Sequence, residues 1–386
     1  MSTKPSRSLF ARLLSASTLT GLLALTPALG QDLPGLDLVD AALPAGAGAC
    51  SAHAQLMRLA CNNDRRDDYL VGLANCAYVV ASEDQRDCRD EVRFERDERR
   101  NECEEVFDAR MEICELVGEA RFTPEIEADD FVDPEDIGDS VEPNPYWPLD
   151  AGHTHVILAD GEVTVVTNTD EVRDVGGLPC RVVRDLVFEV EIEDGEVSYE
   201  PIEVTQDWYA QHIDGDVYYC GENTYEIEDG LIDNTDGSFA HDSDFALAGV
   251  LVRRFPVPGE GDRQEMASDE AEDYVEYLDL AATPSAAEGG DVAFAPCAGG
   301  CLRTFEANPH DPGESENKYY LPGTGFVLAT KFEDGEPTGE REEVTCVGDS
   351  LEVLDDPACG IDDVEALREA LCVWSPEDLC PDDGED

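Results

Sequence analysis

The chain has 386 residues, with 25 basic against 90 acidic side chains and a formal charge of −65. Such a surface repels nucleic acid and anionic membranes, so neither is an expected partner. Adaptation to a salty medium, divalent cation binding and an acidic face for a basic partner are the readings this charge leaves open.

The first thirty residues carry Lys4, Arg7 and Arg12, an apolar run from Leu19 to Leu29, and the small residues Ala28 and Gly30 ahead of Gln31. That pattern predicts a secretory signal over 1–30 with a mature start near Gln31, and so a secreted or periplasmic protein. The run is too short for a permanent anchor, and no later segment reaches ~18 uninterrupted apolar residues, so no integral membrane segment is expected. Gln31 also stands where a lipoprotein would need cysteine. Beyond the signal only two lysines remain, Lys318 and Lys331. Fourteen cysteines in an exported chain argue for disulfides rather than metal thiolates or catalytic thiols.

Residues 31–49, rich in Pro, Gly and Ala, read as a flexible lead. Residues 50–122 read as a helical hairpin, with helices over 50–80 and 86–118 joined near Ala81 to Gln85. Its six cysteines form a numerical palindrome: Cys50 with Cys114, Cys61 with Cys103 and Cys76 with Cys88 all total 164. In two antiparallel helices residues of constant total face each other. Cysteine steps of eleven and fifteen are close to whole turns, so the thiols share a stripe. Three disulfides across one seam follow. The same total sets Met57 against Phe107 and Gly72 against Val92, and allows ion pairs between Asp64 and Arg100 and between Arg66 and Glu98. In architecture the segment resembles the twin-cysteine helical hairpins of the CHCH proteins, with fourteen residues rather than nine between Cys61 and Cys76 and between Cys88 and Cys103, plus an outer pair. The resemblance implies a rigid rod that docks or spaces, and carries no activity.

An acidic, Pro-punctuated stretch over 123–143 reads as a linker. From 144 to 348 the apolar period becomes two, giving an antiparallel β domain, a curved sheet or partial barrel of roughly eight to eleven strands. AspGly turns such as Asp160-Gly161, Asp229-Gly230 and Asp334-Gly335 punctuate it. Residues 349–386 form an acidic tail with cysteines and a short helix over Ile361 to Val373. The expected class is therefore α+β.

Six segments resemble, in their order, a family of uncharacterised secreted bacterial proteins: NPYWPL (144–149), LPCRVVRD (178–185), DWYAQHIDGDVYYCGENTYEIEDG (207–230), GDRQEM (261–266), AEDYVEYL (271–278) and KYYLPGTGFV (318–327). The resemblance covers roughly 140–345 and implies no particular activity. A curved sheet like the periplasmic lipoprotein-carrier half barrels is an analogy of shape.

Several clusters have the residue types that chemistry needs. His153 and His155, two apart, face one way and with a carboxylate would ligate Zn²⁺ or Cu²⁺; the competing reading is ordinary strand histidines. Asp214 and Asp216, with Glu222 and Asn223, form a carboxylate-rich turn able to hold Ca²⁺ through oxygen, or simply a hairpin turn. Trp208, Tyr209, Tyr218 and Tyr219 are core aromatics or the lining of a hydrophobic-ligand pocket. Cys297 and Cys301 in PCAGGC form a local bridge or pair with Cys180 or Cys220, and Cys180 with Cys220 is the preferred strand-domain pair. Serine-elbow, HExxH and P-loop motifs are missing, so no catalytic residue is assigned. The sequence favours a secreted binding or structural module, with a hydrophobic ligand or an unknown protein as partner. A metal-dependent secreted enzyme using His153 and His155, or a Ca²⁺-binding surface protein, are the alternatives.

Overall fold

The computed structural model describes residues 48–124, 126–193, 195–284, 297 and 300–380. The expected signal, and the lead up to residue 47, lie outside the described residues. The chain is α+β: two N-terminal helices, a large antiparallel sheet curled nearly into a barrel, and a short C-terminal helix.

Helix α1 runs Ala49–Cys76 and α2 runs Ser82–Val117. The turn falls at 77–81, four residues earlier than the sequence places it. Ala81 is the extended residue before α2, and Glu83 and Asp84 sit in its first turn, where the partial positive charge of the helix start favours acids. Disulfides join Cys50 to Cys114, Cys61 to Cys103 and Cys76 to Cys88, with Cα separations of 5.6, 5.8 and 5.8 Å. Gly72 does face Val92: a Cβ on Gly72 would come within 2.8 Å of the valine methyls. The ion pairs proposed for Asp64 and Arg66 are replaced. Arg58 meets Glu104 at 2.6 Å and lies 4.7 Å over the Phe107 ring, while Arg96 caps Tyr69 at 4.9 Å. Stacking on an aromatic face covers the long arginine stems as well as satisfying the charge.

Fifteen strands follow among the described residues. Five run as a meander: β1 (Thr154–Ala159), β2 (Glu162–Val175), β3 (Leu178–Glu193), β4 (Glu196–Gln211) and β5 (Val217–Glu228). The short strands β6 (Leu231–Asn234), β7 (Phe239–Ala240) and β8 (Leu247–Val252) all pair with β5. After β9 (Gly261–Arg263) and β10 (Glu265–Met266), a second meander runs through β11 (Tyr274–Ala282), β12 (Cys301–Ala307), β13 (Glu314–Leu321), β14 (Gly325–Glu333) and β15 (Glu336–Gly348). Pairing of β1 with β15 zips the two meanders together. The highly charged β15 was not anticipated, because only its last third carries a strand-like apolar alternation.

The ends of the strand path are β9 and β10, which are separated in the chain by Gln264 alone. This one segment pairs with β11 through its first half and with β8 through its second. It therefore bridges the two edges of the curl. Gln264 donates to Leu251 O and Glu306 across the seam, and a Cβ on Gly249 would lie 2.2 Å from the Arg263 carbonyl oxygen, so the approach requires glycine.

Strand alternation divides the apolar side chains between two faces. Inside, Leu149, Ile157, Val183, Tyr209, Tyr277, Leu302, Tyr320 and Val344 fill part of the curl. Outside, Val156, Val165, Leu186 and Phe188 are covered by helix α3 (Val364–Trp374) through Leu367 and Leu371. The stretch read as a linker packs on the barrel: Phe131 and Ile137 are buried, and Arg181 donates to Pro134 O. The hairpin base is anchored by the Arg110 guanidinium on the Glu272 carboxylate at 2.9 and 2.7 Å, with both side chains buried.

Candidate functional site

Three of the segments singled out in the sequence, around Asn144, Tyr209 and Tyr320, meet at one end of the curl. Asn144 is fully buried, donates to Gly215 O at 2.7 Å and accepts from the Tyr146 backbone at 2.8 Å. Trp147 packs edge-on to Tyr209 and Tyr320, and Gly323 N donates to Pro145 O at 2.7 Å. These contacts make a packed apolar floor.

Beyond that floor the inner face is acidic. Two adjoining lobes of about 490 and 540 Å³ share Glu342 and Lys331. The first is lined by eight carboxylate side chains and the second by seven, Glu342 being common to both. A smaller lobe of about 140 Å³ reaches the floor between Trp147, Ile157 and Phe326, with Asp185, Lys318 and Glu342 on its wall. The only two lysines after residue 30 both face this lumen. Lys318 bridges Glu306 at 3.1 Å and Glu316 at 2.9 Å, and Lys331 meets Glu342 at 2.8 Å. Burial works against the Lys318 charge, but Glu306 and Glu316 hold its ammonium protonated far above the usual lysine range.

The β4–β5 register sets Glu203 opposite Glu226 and Asp207 opposite Glu222, like charges that destabilise a strand pair when both are ionised. The surroundings answer with hydroxyls. Thr205 bonds Glu203 at 3.0 Å and Thr224 at 3.1 Å, Thr224 donates to Glu222 at 2.7 Å, and the Tyr219 hydroxyl donates to Asp207. Burial first, then neighbouring carboxylates, pushes Asp185, Asp207 and Glu222 each up to about 8. Asp273 is raised by burial to about 6, and Glu203 and Glu316 are raised for the same reason. Three carboxylate oxygens, Asp185 Oδ1, Asp273 Oδ1 and Glu265 Oε2, are enclosed and have no hydrogen-bond partner. The lumen wall is thus a set of acids with unused acceptor capacity.

The residues singled out from sequence fall elsewhere. His153 and His155 stack edge-on, ring centroids 4.6 Å apart, and both Nε2 atoms donate to the same carbonyl, Thr324 O, at 3.1 and 3.0 Å. A carbonyl only accepts, so each Nε2 carries a proton and is occupied. Burial also lowers His155 to about 3, keeping it neutral. Asp214 accepts from Asp216 N at 3.1 Å, and Asp216 accepts from Arg254 N at 2.8 Å, so the turn spends its oxygens on its own backbone and the next strand. Glu222 points into the sheet interior, away from them, toward Thr224 and Asp207. Among the described residues no group of three or more His, Cys, Asp or Glu is placed to hold a metal ion.

The four aromatics divide between cores by strand alternation. Tyr209 and Tyr219 stack at 4.7 Å on the inner side, while Trp208 and Tyr218 join the outer cluster around Cys180 and Cys220. None of the four lines the three lobes described above, whose larger two are walled mainly by carboxylates. Cys180 is bonded to Cys220 across β4, Cys297 to Cys301, Cys346 to Cys359 and Cys372 to Cys380. All fourteen cysteines are thus paired. Seven disulfides belong in an oxidising compartment, and the chain is a secreted or extracellular protein. No helix among the described residues is long and apolar enough to cross a membrane.

Sequence reasoning missed the lumen residues. The usable signal was the scarcity of lysine: Lys318 and Lys331 are the two lysines after residue 30 in a chain otherwise served by arginine, and both are held by acids.

No family model matches the chain, and no curated protein matches it. Two solved structures share local likeness. A candidate lipoprotein from Parabacteroides distasonis is 9% identical, with a TM-score of 0.24, covering 54% of this chain and 100% of that one. A candidate exported protein with a YmcC-like fold from Bacteroides fragilis is 10% identical, with a TM-score of 0.24, covering 53% of this chain and 97% of that one. Neither likeness bears on what this chain does.

Proposed function

We propose that the protein is a secreted, non-enzymatic binding module whose barrel lumen takes a small organic cation, and that it belongs with the secreted bacterial family its motifs resemble. The observation that carries the ligand class is Asp185. Its carboxylate lies on the wall of two lobes, is pushed up to about 8 by burial, and keeps one oxygen without a donor. An ammonium group supplies both the missing donor and the missing charge. Trp147 and Phe326 beside it offer aromatic faces to the ligand's apolar part. The stapled hairpin serves as a rigid docking or spacing arm, with Leu70, Val71, Tyr78, Val80 and Phe94 exposed toward its far end.

Calorimetric titration of the mature protein with diamines, triamines and alkylammonium ions tests the ligand class. Because Asp185 releases its proton when the cation binds, affinity should rise as pH climbs through about 8, with proton release visible as a buffer-dependent heat. Asp185→Asn should weaken binding about tenfold, the loss of one charge-assisted hydrogen bond. Preference for Ca²⁺ over every amine, or amine binding indifferent to Asp185→Asn, would overturn the reading.

A further inference from the structure

A second cavity, of about 430 Å³, lies where the hairpin base meets the barrel, and its chemistry is opposite to that of the lumen. Val117, Phe122, Phe245, Leu247 and Met266 give it an apolar wall, and Asp262 and Arg263 are among the polar residues that complete the lining. Phe245 is 98% exposed and holds a left-handed backbone at φ 69°, an uncommon state for an aromatic residue.

Arg263 lies at the back of this cavity and is only 6% exposed. Its Nη2 donates to the Cys50 sulfur at 3.2 Å, a weak acceptor, and its Nη1 is enclosed with no acceptor at all. A buried donor left without an acceptor is destabilising, the more so when it is charged. The nearby acids are already engaged. Asp262 is held by Arg253 at 2.7 Å, Glu272 by Arg110 at 2.7 Å, and Glu119 accepts from Ser51 N at 3.0 Å at the start of α1. His53 and Arg121 add further donors to the same wall, with His53 bonded to Ser268 at 2.9 Å. Arg263 is therefore left with an Nη1 that no acceptor meets, and only the charge of the already engaged Glu272 acts in favour of its cation.

We infer that this junction cavity binds an amphiphilic organic carboxylate, its carboxylate paired with the Arg263 guanidinium and its apolar body against Phe122, Leu247 and Met266. The size and the ratio of apolar wall to polar anchors are those of small-ligand sites. Binding would also fasten the hairpin to the barrel, since the wall is drawn from both.

The test uses the full mature chain in about 1 M salt, where the long-range repulsion of an anion by this surface is screened. Decanoate and decanol, which carries no charge for the acidic lumen to hold, serve as probes in calorimetric titration. Decanoate should bind, and decanol should bind at least tenfold more weakly. Arg263→Met, which keeps the stem and removes the charge, should abolish the preference for decanoate over decanol. Should that variant fold poorly, Leu247→Trp fills the cavity while leaving Arg263 in place, and it should abolish decanoate binding. Asp185→Asn should leave decanoate binding unchanged, which separates this site from the lumen. Absence of decanoate binding to the folded protein, equal binding of decanol, or full binding by Leu247→Trp would overturn the inference.

Discussion

The pair Arg110 and Glu272 shows what one contact does in a chain this acidic. Glu272 is fully buried, and burial alone would raise its carboxyl; His310 and Arg110 instead hold it far below the usual carboxylate range. Removing the guanidinium leaves a buried charge without compensation, so Arg110→Met should cost about 3 to 5 kcal/mol in denaturant unfolding. The sign of the pH effect follows from the depressed value. Glu272 contributes stability that is present above its unfolded value of 4.5 and is lost as pH falls toward the folded one. Glu272→Gln should accordingly flatten the acid limb of a melting-temperature profile taken between about pH 2 and 6, whereas an unchanged limb would remove Glu272 from the acid transition. Nothing in the sequence points to this partner. The two residues are 162 positions apart, and Glu272 is one of ninety acids, so only folding singles it out.

Among the elements, the hairpin was the most legible and the sheet edges the least. Six cysteines at mirrored spacings fix a register because a disulfide tolerates only a narrow Cα separation, so the constant total of 164 also carries Gly72 to Val92. The turn was placed four residues late because the pattern constrains the seam and says nothing of the residues between Cys76 and Cys88. Strands with clean alternation were readable, but β15 begins as EPTGERE, and its strand state comes from pairing with β14 and β1. The helix contact at Gly72 gives a direct test. A methyl there would lie 2.8 Å from Val92, so Gly72→Ala should overpack the seam and cost about 1 to 3 kcal/mol despite the better helix propensity of alanine. Val92→Ala in the same chain should restore most of it. If Gly72→Ala instead stabilises the protein in thermal or denaturant unfolding, the helices are not held at this distance.

At the scale of the whole molecule, the charge of −65 could be read from the sequence, but its division between surface and interior could not. Alternation assigns a face to each strand residue without saying whether that face is filled or open, so nothing in the pattern separates Asp185, Glu203 and Glu342 from acids on the solvated side of a sheet. Curling puts them inside, and two consequences for stability then separate. Surface carboxylates repel one another, and that repulsion is screened as salt shortens the Debye length from ~10 Å at 0.1 M to ~3 Å at 1 M. Lumen carboxylates behave differently. Asp185, Asp207 and Glu222 are raised in the folded state to about 8 from 3.8, 3.8 and 4.5, so their contribution is fully present below the unfolded values and is lost as pH rises through about 8. Buried groups are screened much less by salt. The melting temperature should therefore fall by several degrees between pH 5 and pH 9. Salt should raise the whole profile without removing its slope, and Asp185→Asn should reduce the slope at every salt concentration. A slope that disappears in 1 M salt would trace the pH dependence to surface repulsion and leave the lumen acids without the raised values on which cation capture depends.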